Sequence, residues 1–147
     1  MQKKIKLLDG SLSYPLEKKG HNLNKKLWTG DALINDPNAI KKVHKDYLAA
    51  GVDFISTSTY QLSYKVLKEM GYNVNDIKDI FKRSVNLVEQ AIEETNTTRK
   101  IKIVGSYGPY GAFLADGSEY TGKYNTSDEI IMDYHRENMN IIKELDI

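Results

Sequence analysis

Apolar positions along the chain alternate between short runs and stripes at helical spacing. Ile5 to Leu8 is an apolar run halted by Asp9 and Gly10, which predicts a strand ending in a turn. Leu12 to Lys19 predicts a short helix stopped at Gly20, with Pro15 tolerated only in its first turn. Residues 21–35 show no clear period and read as irregular, anchored by Trp28. Asp36 then offers an N-cap and Pro37 a first helical position. Ile40, Val43, Tyr47 and Leu48 recur at helical spacing up to Gly51.

Val52 to Thr59 predicts a second strand that runs into a Ser/Thr tract, and Ser63 to Met70 a short helix closed by Gly71. Asn75 is a candidate cap for a longer helix, whose stripe is Ile77, Ile80, Phe81, Val85, Val88 and Ile92. Ile101 to Gly105 predicts a third strand, and Ser106 to Tyr124 a loop rich in glycine and tyrosine. Thr126 and Glu129 have capping-box spacing before a helix carrying Ile131, Tyr134, Ile141 and Ile142. Leu145 to Ile147 reads as the start of a fourth strand. Strand–helix alternation of this kind implies right-handed βαβ units and a parallel sheet. Chemistry is then expected where strands hand over to helices: at Asp9-Gly10, at Ser56 to Gln61 and from Ser106 onward.

Composition narrows the function classes. The 147 residues include 21 basic and 20 acidic ones, a formal net charge of +1, which excludes a strong global pull toward nucleic acid or an anionic membrane. There is no cysteine, so these residues hold no disulfide, thiolate zinc site or cysteine nucleophile. That fits a cytoplasmic protein. The basic start has an apolar stretch too short for a signal-peptide core or a membrane span.

Among motifs, neither G-x-G-x-x-G nor G-x-x-x-x-G-K-[ST] occurs. Gly105-Ser106-Tyr107-Gly108 follows a predicted strand, but Pro109 removes a backbone donor. His21, His44 and His135 lack metal-ligand spacing and read as surface or helix histidines. Asp9, Asp116 and Glu119 lie at strand ends or in the following loop, where carboxylates could share a pocket. A glycosidase would need two of them about 5–9.5 Å apart. Asp9 reads either as an acceptor for a ligand ammonium or as a turn residue capping the next helix. The long Tyr-rich loop suggests a lid or binding loop over a merely packed one.

The segment G-S-Y-G-P-Y-G-A-F-L-A-D-G-S-E-Y-T-G-K-Y, residues 105–124, resembles the third-strand loop of the homocysteine S-methyltransferase family. The likeness is to the branch that uses S-methylmethionine or S-adenosylmethionine. Leu7-Leu8-Asp9-Gly10, Leu27-Trp28-Thr29 and Thr57-Ser58-Thr59-Tyr60-Gln61 agree with it in order and spacing. Ser13-Tyr14-Pro15-Leu16 departs from it, since the family usually has a threonine and an acidic residue there. The resemblance implies a (β/α)8 TIM barrel, a zinc cofactor and methyl transfer to the sulfur of L-homocysteine, giving methionine. It implies that Asp9 and Gly10 hold the amino-acid end of homocysteine, that Thr59 and Tyr60 line the same pocket, and that Trp28 and Thr29 cover it. The loop from Tyr107 to Tyr120, with Gly108, Tyr110, Asp116, Glu119 and Tyr120, would help shape the methyl-donor side, and Gln61 and Ser106 are further substrate-binding candidates.

In that family the zinc cysteines lie in the C-terminal half, and a substrate-binding glutamate follows the fourth strand. A whole barrel takes about 250 residues. The expected fold class is therefore α/β: the N-terminal half of a (β/α)8 TIM barrel, about four parallel strands with intervening helices. Residues 1–147 would form one domain truncated within the fourth strand at Glu144-Leu145-Asp146-Ile147. The fragment alone is expected to be inactive and to bind no zinc, its partners being small molecules and neither nucleic acid nor membrane. Two competing readings are a stand-alone half-barrel that binds a ligand or self-associates through open sheet edges, and an unrelated barrel hydrolase using Asp9 and Glu119.

Overall fold

The computed structural model describes residues 5–145. The chain runs through α1 (Ser13–Lys18), α2 (Thr29–Asn35), α3 (Pro37–Ala50), β1 (Phe54–Ser56), α4 (Tyr64–Glu69) and α5 (Val74–Glu94). It continues through β2 (Lys102–Val104), α6 (Tyr110–Leu114), a 3-10 turn (Ser118–Tyr120) and α7 (Asp128–Ile142). This is an α/β fold whose two strands pair in parallel, with Phe54, Ile55 and Ser56 opposite Lys102, Ile103 and Val104.

The predicted first strand contracts to a single parallel bridge, Leu8 to Phe54. The Leu7 carbonyl accepts from the amides of Asp53 and Phe54, and the Asp9 amide donates to the Phe54 carbonyl at 3.1 Å. The segment thus lies beside β1 on the edge opposite β2. Its side chains stay out of the core: Ile5 is 80% exposed and Leu7 51%. Of the predicted fourth strand, Leu145 is described and is not in a strand. Residues 146–147 lie outside the described residues.

Helices cover one face of the sheet. Ile55 is fully buried against Leu48, Val52, Val88 and Ala91, while its neighbours Phe54 and Ser56 face the other way. A larger core of Leu16, Leu33, Ile40, Val43, Leu67, Ile77 and Phe81 fills the space between the helices. The α5 stripe read from the sequence is this packing surface. Arg99 ties the end of α3 to the sheet, donating to the carbonyls of Leu48 and Val52, each at 2.6 Å. Cations at helix C-termini are favourable because the last carbonyls lack helical partners.

Asp36 caps α3 as read, accepting from the Ala39 amide at 3.2 Å, and Gly51 closes the helix in the left-handed region. Other boundaries move. Asn73, not Asn75, caps α5, accepting from the amides of Asn75 and Asp76. Ser127 rather than Thr126 precedes α7, and its hydroxyl bonds the Glu129 carboxyl and holds it below its ordinary range. Residues 21–35 are not all irregular, since α2 occupies their second half and buries Thr29, Gly30, Ala32 and Leu33. The long loop likewise contains α6, held to α7 by edge-on packing of Tyr110 against Tyr134 at 5.2 Å. Both helices are short and carry glycine, so tertiary burial rather than local propensity sustains them.

Candidate functional site

A cavity of about 450 Å³ opens where the strands end. Its first wall is built by Asp9. The Asp9 carboxylate accepts the Ser56 amide at 2.9 Å and the Ser56 hydroxyl at 2.7 Å, joining the N-terminal segment to the end of β1. Asp9 makes no side-chain cap to α1. Tyr47 holds the following turn by donating to the Ser11 carbonyl at 2.8 Å. Burial first, and the Asp9 charge second, raise the Tyr47 hydroxyl above its ordinary pKa.

The second wall is the Ser/Thr tract after β1. Thr59 spends its one hydroxyl proton on the Ser106 carbonyl at 2.7 Å. The 2.8 Å contact between the Thr57 and Thr59 hydroxyls therefore runs from Thr57 to Thr59, and Thr57 in turn accepts the Ser106 amide at 3.0 Å. This closed network pins the end of β2 to the end of β1. It also leaves Ser58, Tyr60 and Gln61 on the cavity. Burial and the nearby Glu119 charge raise the Tyr60 hydroxyl.

The remaining walls come from Trp28 with Thr29 and from the loop residues Ser106, Glu119 and Tyr120. Trp28 has φ +45° and is 47% exposed. A bulky residue with positive φ is a strained conformation. It turns the chain into α2 while leaving the indole at the cavity. Gly108 presses the loop onto the second wall. Its amide donates to the Tyr60 carbonyl at 3.0 Å, and a Cβ there would stand 2.4 Å from that oxygen.

Asp9, Gly10, Trp28, Thr29, Tyr60, Gln61, Ser106, Glu119 and Tyr120 thus meet on one cavity. The other four expected site residues lie elsewhere. Thr59 is fully buried in the hydroxyl network, and Gly108 is a packing contact. Tyr110 is buried among Phe113, Tyr124 and Tyr134. Asp116 accepts the Ser118 amide at 2.9 Å in the loop, and Ser118 holds its carboxyl below the ordinary range. Ser56, Thr57 and Ser58, expected there only as part of the strand-end tract, also line the cavity, as do Ser11, Leu12 and Ser13, to which the sequence assigned no site role. The polar tract after the second strand was the visible signal for the first three, and the strand end at Asp9-Gly10 for the others.

Among the described residues, no group of three His, Cys, Asp or Glu side chains could hold a metal ion. His44 is fully buried in α3, far from such a role, with both ring nitrogens lacking a hydrogen-bond partner among the described residues. No helix of the described residues is long and apolar enough to cross a membrane.

Comparison with known proteins gives the cavity its context. The sequence model of the family described as homocysteine S-methyltransferase matches residues 6–147. The homocysteine S-methyltransferase YbgG of Bacillus subtilis (strain 168) is 39% identical over 145 residues, covering 94% of this chain and 46% of that protein. A selenocysteine Se-methyltransferase of Brassica oleracea var. italica is 34% identical over 152 residues, covering 94% and 44%. The crystal structure of the homocysteine methyltransferase MmuM from Escherichia coli, in its metallated form, superposes with a TM-score of 0.84 at 35% identity. That match covers 97% of this chain and 51% of that one. The chain spans about half the length of the curated relatives it matches.

Proposed function

Because the chain belongs to the homocysteine S-methyltransferase family, we propose that it forms the N-terminal half of a (β/α)8 barrel and the amino-acid-binding wall of a methyltransferase. The reaction moves a methyl group from a sulfonium donor, S-methylmethionine or S-adenosylmethionine, to L-homocysteine. The donor's C–S bond breaks and leaves its electron pair on the donor sulfur. The homocysteine sulfur forms the new C–S bond and its proton passes to solvent, giving methionine.

In this reading Asp9 accepts the homocysteine ammonium with the lone pairs that Ser56 leaves free, since a carboxylate offers about four acceptor sites. Thr29 and Ser106 shape the wall beside it. Trp28 covers the cavity and limits water around the reacting sulfurs. Holding two small molecules in line removes much of the entropic barrier of a bimolecular transfer. The observation that carries the reading is the cavity itself, which gathers Asp9, Trp28, Tyr60 and Glu119 from separate segments at the strand ends.

The zinc implied by the family resemblance finds no fitting donors here: the sequence has no cysteine, and no ligand cluster occurs among the described residues. On this reading its ligands lie outside residues 1–147, and no step is assigned to it. Residues 1–147 alone are then inactive. Incubation with homocysteine and methyl-labelled S-methylmethionine tests this, with no labelled methionine expected. Ligand-observed NMR should detect homocysteine binding that Asp9→Asn abolishes. Binding unaffected by that substitution overturns the assignment of Asp9.

A second reading, self-association of a half-barrel, is favoured by the exposed apolar edge at Ile5, Leu7 and Leu8.

A further inference from the structure

Two side chains on the cavity end in buried oxygens that have no hydrogen-bond partner among the described residues: Glu119 Oε2 and Gln61 Oε1. Ser58 Oγ, on the same cavity, is a third. Buried polar atoms are almost always paired, and an unpaired acceptor carries a desolvation cost that a donor group would recover. A carboxylate and an amide oxygen are both acceptors, so what each lacks is a donor.

The fold holds Glu119 in place from behind. A Cβ on Gly111 would stand 2.4 Å from the Glu119 amide nitrogen and 2.6 Å from its Cα, so the 3-10 turn rests directly on α6. Asp9 differs from Glu119 in its commitments, because both of its oxygens already accept from Ser56. The cavity therefore has two carboxylates on different walls, one braced by the protein and one with an unmatched buried oxygen. An ammonium group supplies both the positive charge and three N–H donors, enough for Glu119 and Gln61 together. A sulfonium or a quaternary ammonium supplies charge but no N–H, and would leave Gln61 unpaired.

We propose that Glu119 and Gln61 bind the α-ammonium group of the methyl donor, so that the cavity takes two α-amino acids at once and selects sulfonium donors that carry a free ammonium. The assignment rests on the methyltransferase reading above. It makes Glu119 and Gln61 specificity residues, and it disfavours methyl donors without an N–H, such as betaines.

The test is calorimetric or NMR titration of residues 1–147 with homocysteine, S-methylmethionine and N-acetyl-S-methylmethionine, each protein first checked for its native circular dichroism spectrum. S-methylmethionine should bind the wild type and lose at least about tenfold in affinity in Glu119→Gln and in Gln61→Met, as for a hydrogen bond to a charged group. The N-acetyl compound should bind weakly to all three proteins, and homocysteine equally to all three. Unchanged S-methylmethionine affinity in the folded variants, or equal binding of the N-acetyl compound, overturns the proposal. Homocysteine binding without S-methylmethionine binding overturns it while sparing the methyltransferase reading. Failure of the folded wild type to bind either amino acid overturns both.

Discussion

The Asp9 carboxylate grips Ser56 twice, through its amide at 2.9 Å and its hydroxyl at 2.7 Å. Among the described residues a single bridge and three backbone hydrogen bonds join the N-terminal segment to Asp53 and Phe54, and these charge-assisted bonds reinforce that junction. Asp9→Ala should destabilise the fold by about 2–4 kcal/mol, and Asp9→Asn by less, because its amide oxygen still accepts the Ser56 amide. Urea unfolding of the two variants measures the difference; equal losses would mean that the anion contributes nothing.

Gly111 and Glu119 are coupled by contact rather than by sequence. Gly111→Ala drives a methyl group into the Glu119 backbone, where nothing flexible can yield. An overpacked contact of this kind costs about 1–3 kcal/mol. The displaced 3-10 turn should also weaken S-methylmethionine binding as Glu119→Gln does, while homocysteine binding holds. Parallel titrations of the two variants check this.

Trp28 stores strain at the cavity. At φ +45° any Cβ is disfavoured and glycine is not. Trp28→Gly should therefore be more stable than Trp28→Ala by about 1–2 kcal/mol, although glycine loses more backbone entropy on folding than alanine. Both variants should lose ligand affinity with the indole. Thermal melts of the pair isolate the backbone contribution, and alanine matching glycine would remove the strain.

His44 makes the protein acid-sensitive. Burial lowers its pKa from the usual 6.5 to about 4, so the folded protein keeps it neutral while the unfolded chain takes up a proton. Unfolded molecules then bind more protons below pH 6.5. Stability falls as pH drops from 6.5 toward 4 and levels off below that, by about 3 kcal/mol in all. His44→Leu should remove this part of the pH dependence. Urea midpoints of both proteins at pH 7 and pH 4.5 give the comparison, and parallel losses would assign the acid sensitivity elsewhere.

The uncovered edge at Ile5 and Leu7 predicts concentration-dependent association of residues 1–147, which light scattering reads directly. Leu7→Lys should reduce it. A monodisperse wild-type monomer would count against the open-edge reading.

Periodicity sufficed for α3 and α5, because long apolar stripes with a capping Asp36 or a closing Gly51 encode helix and buried face together. The strand–helix alternation likewise sufficed for a parallel sheet, and the strand ends were the right place to seek the cavity. Local pattern did not reveal α2 or α6, whose short glycine-containing segments become helical only when Leu33 and Tyr110 find the core and the α7 aromatics. Nor did it separate Tyr60 from Thr59, adjacent in sequence, of which one lines the cavity and the other is consumed in a hydroxyl network. Residue type and spacing state which chemistry a chain can offer at its strand ends. Which of those groups keeps a free lone pair depends on partners some fifty residues away in sequence, as Ser56 is from Asp9 and Ser106 from Thr59. Tertiary packing alone sets those pairings.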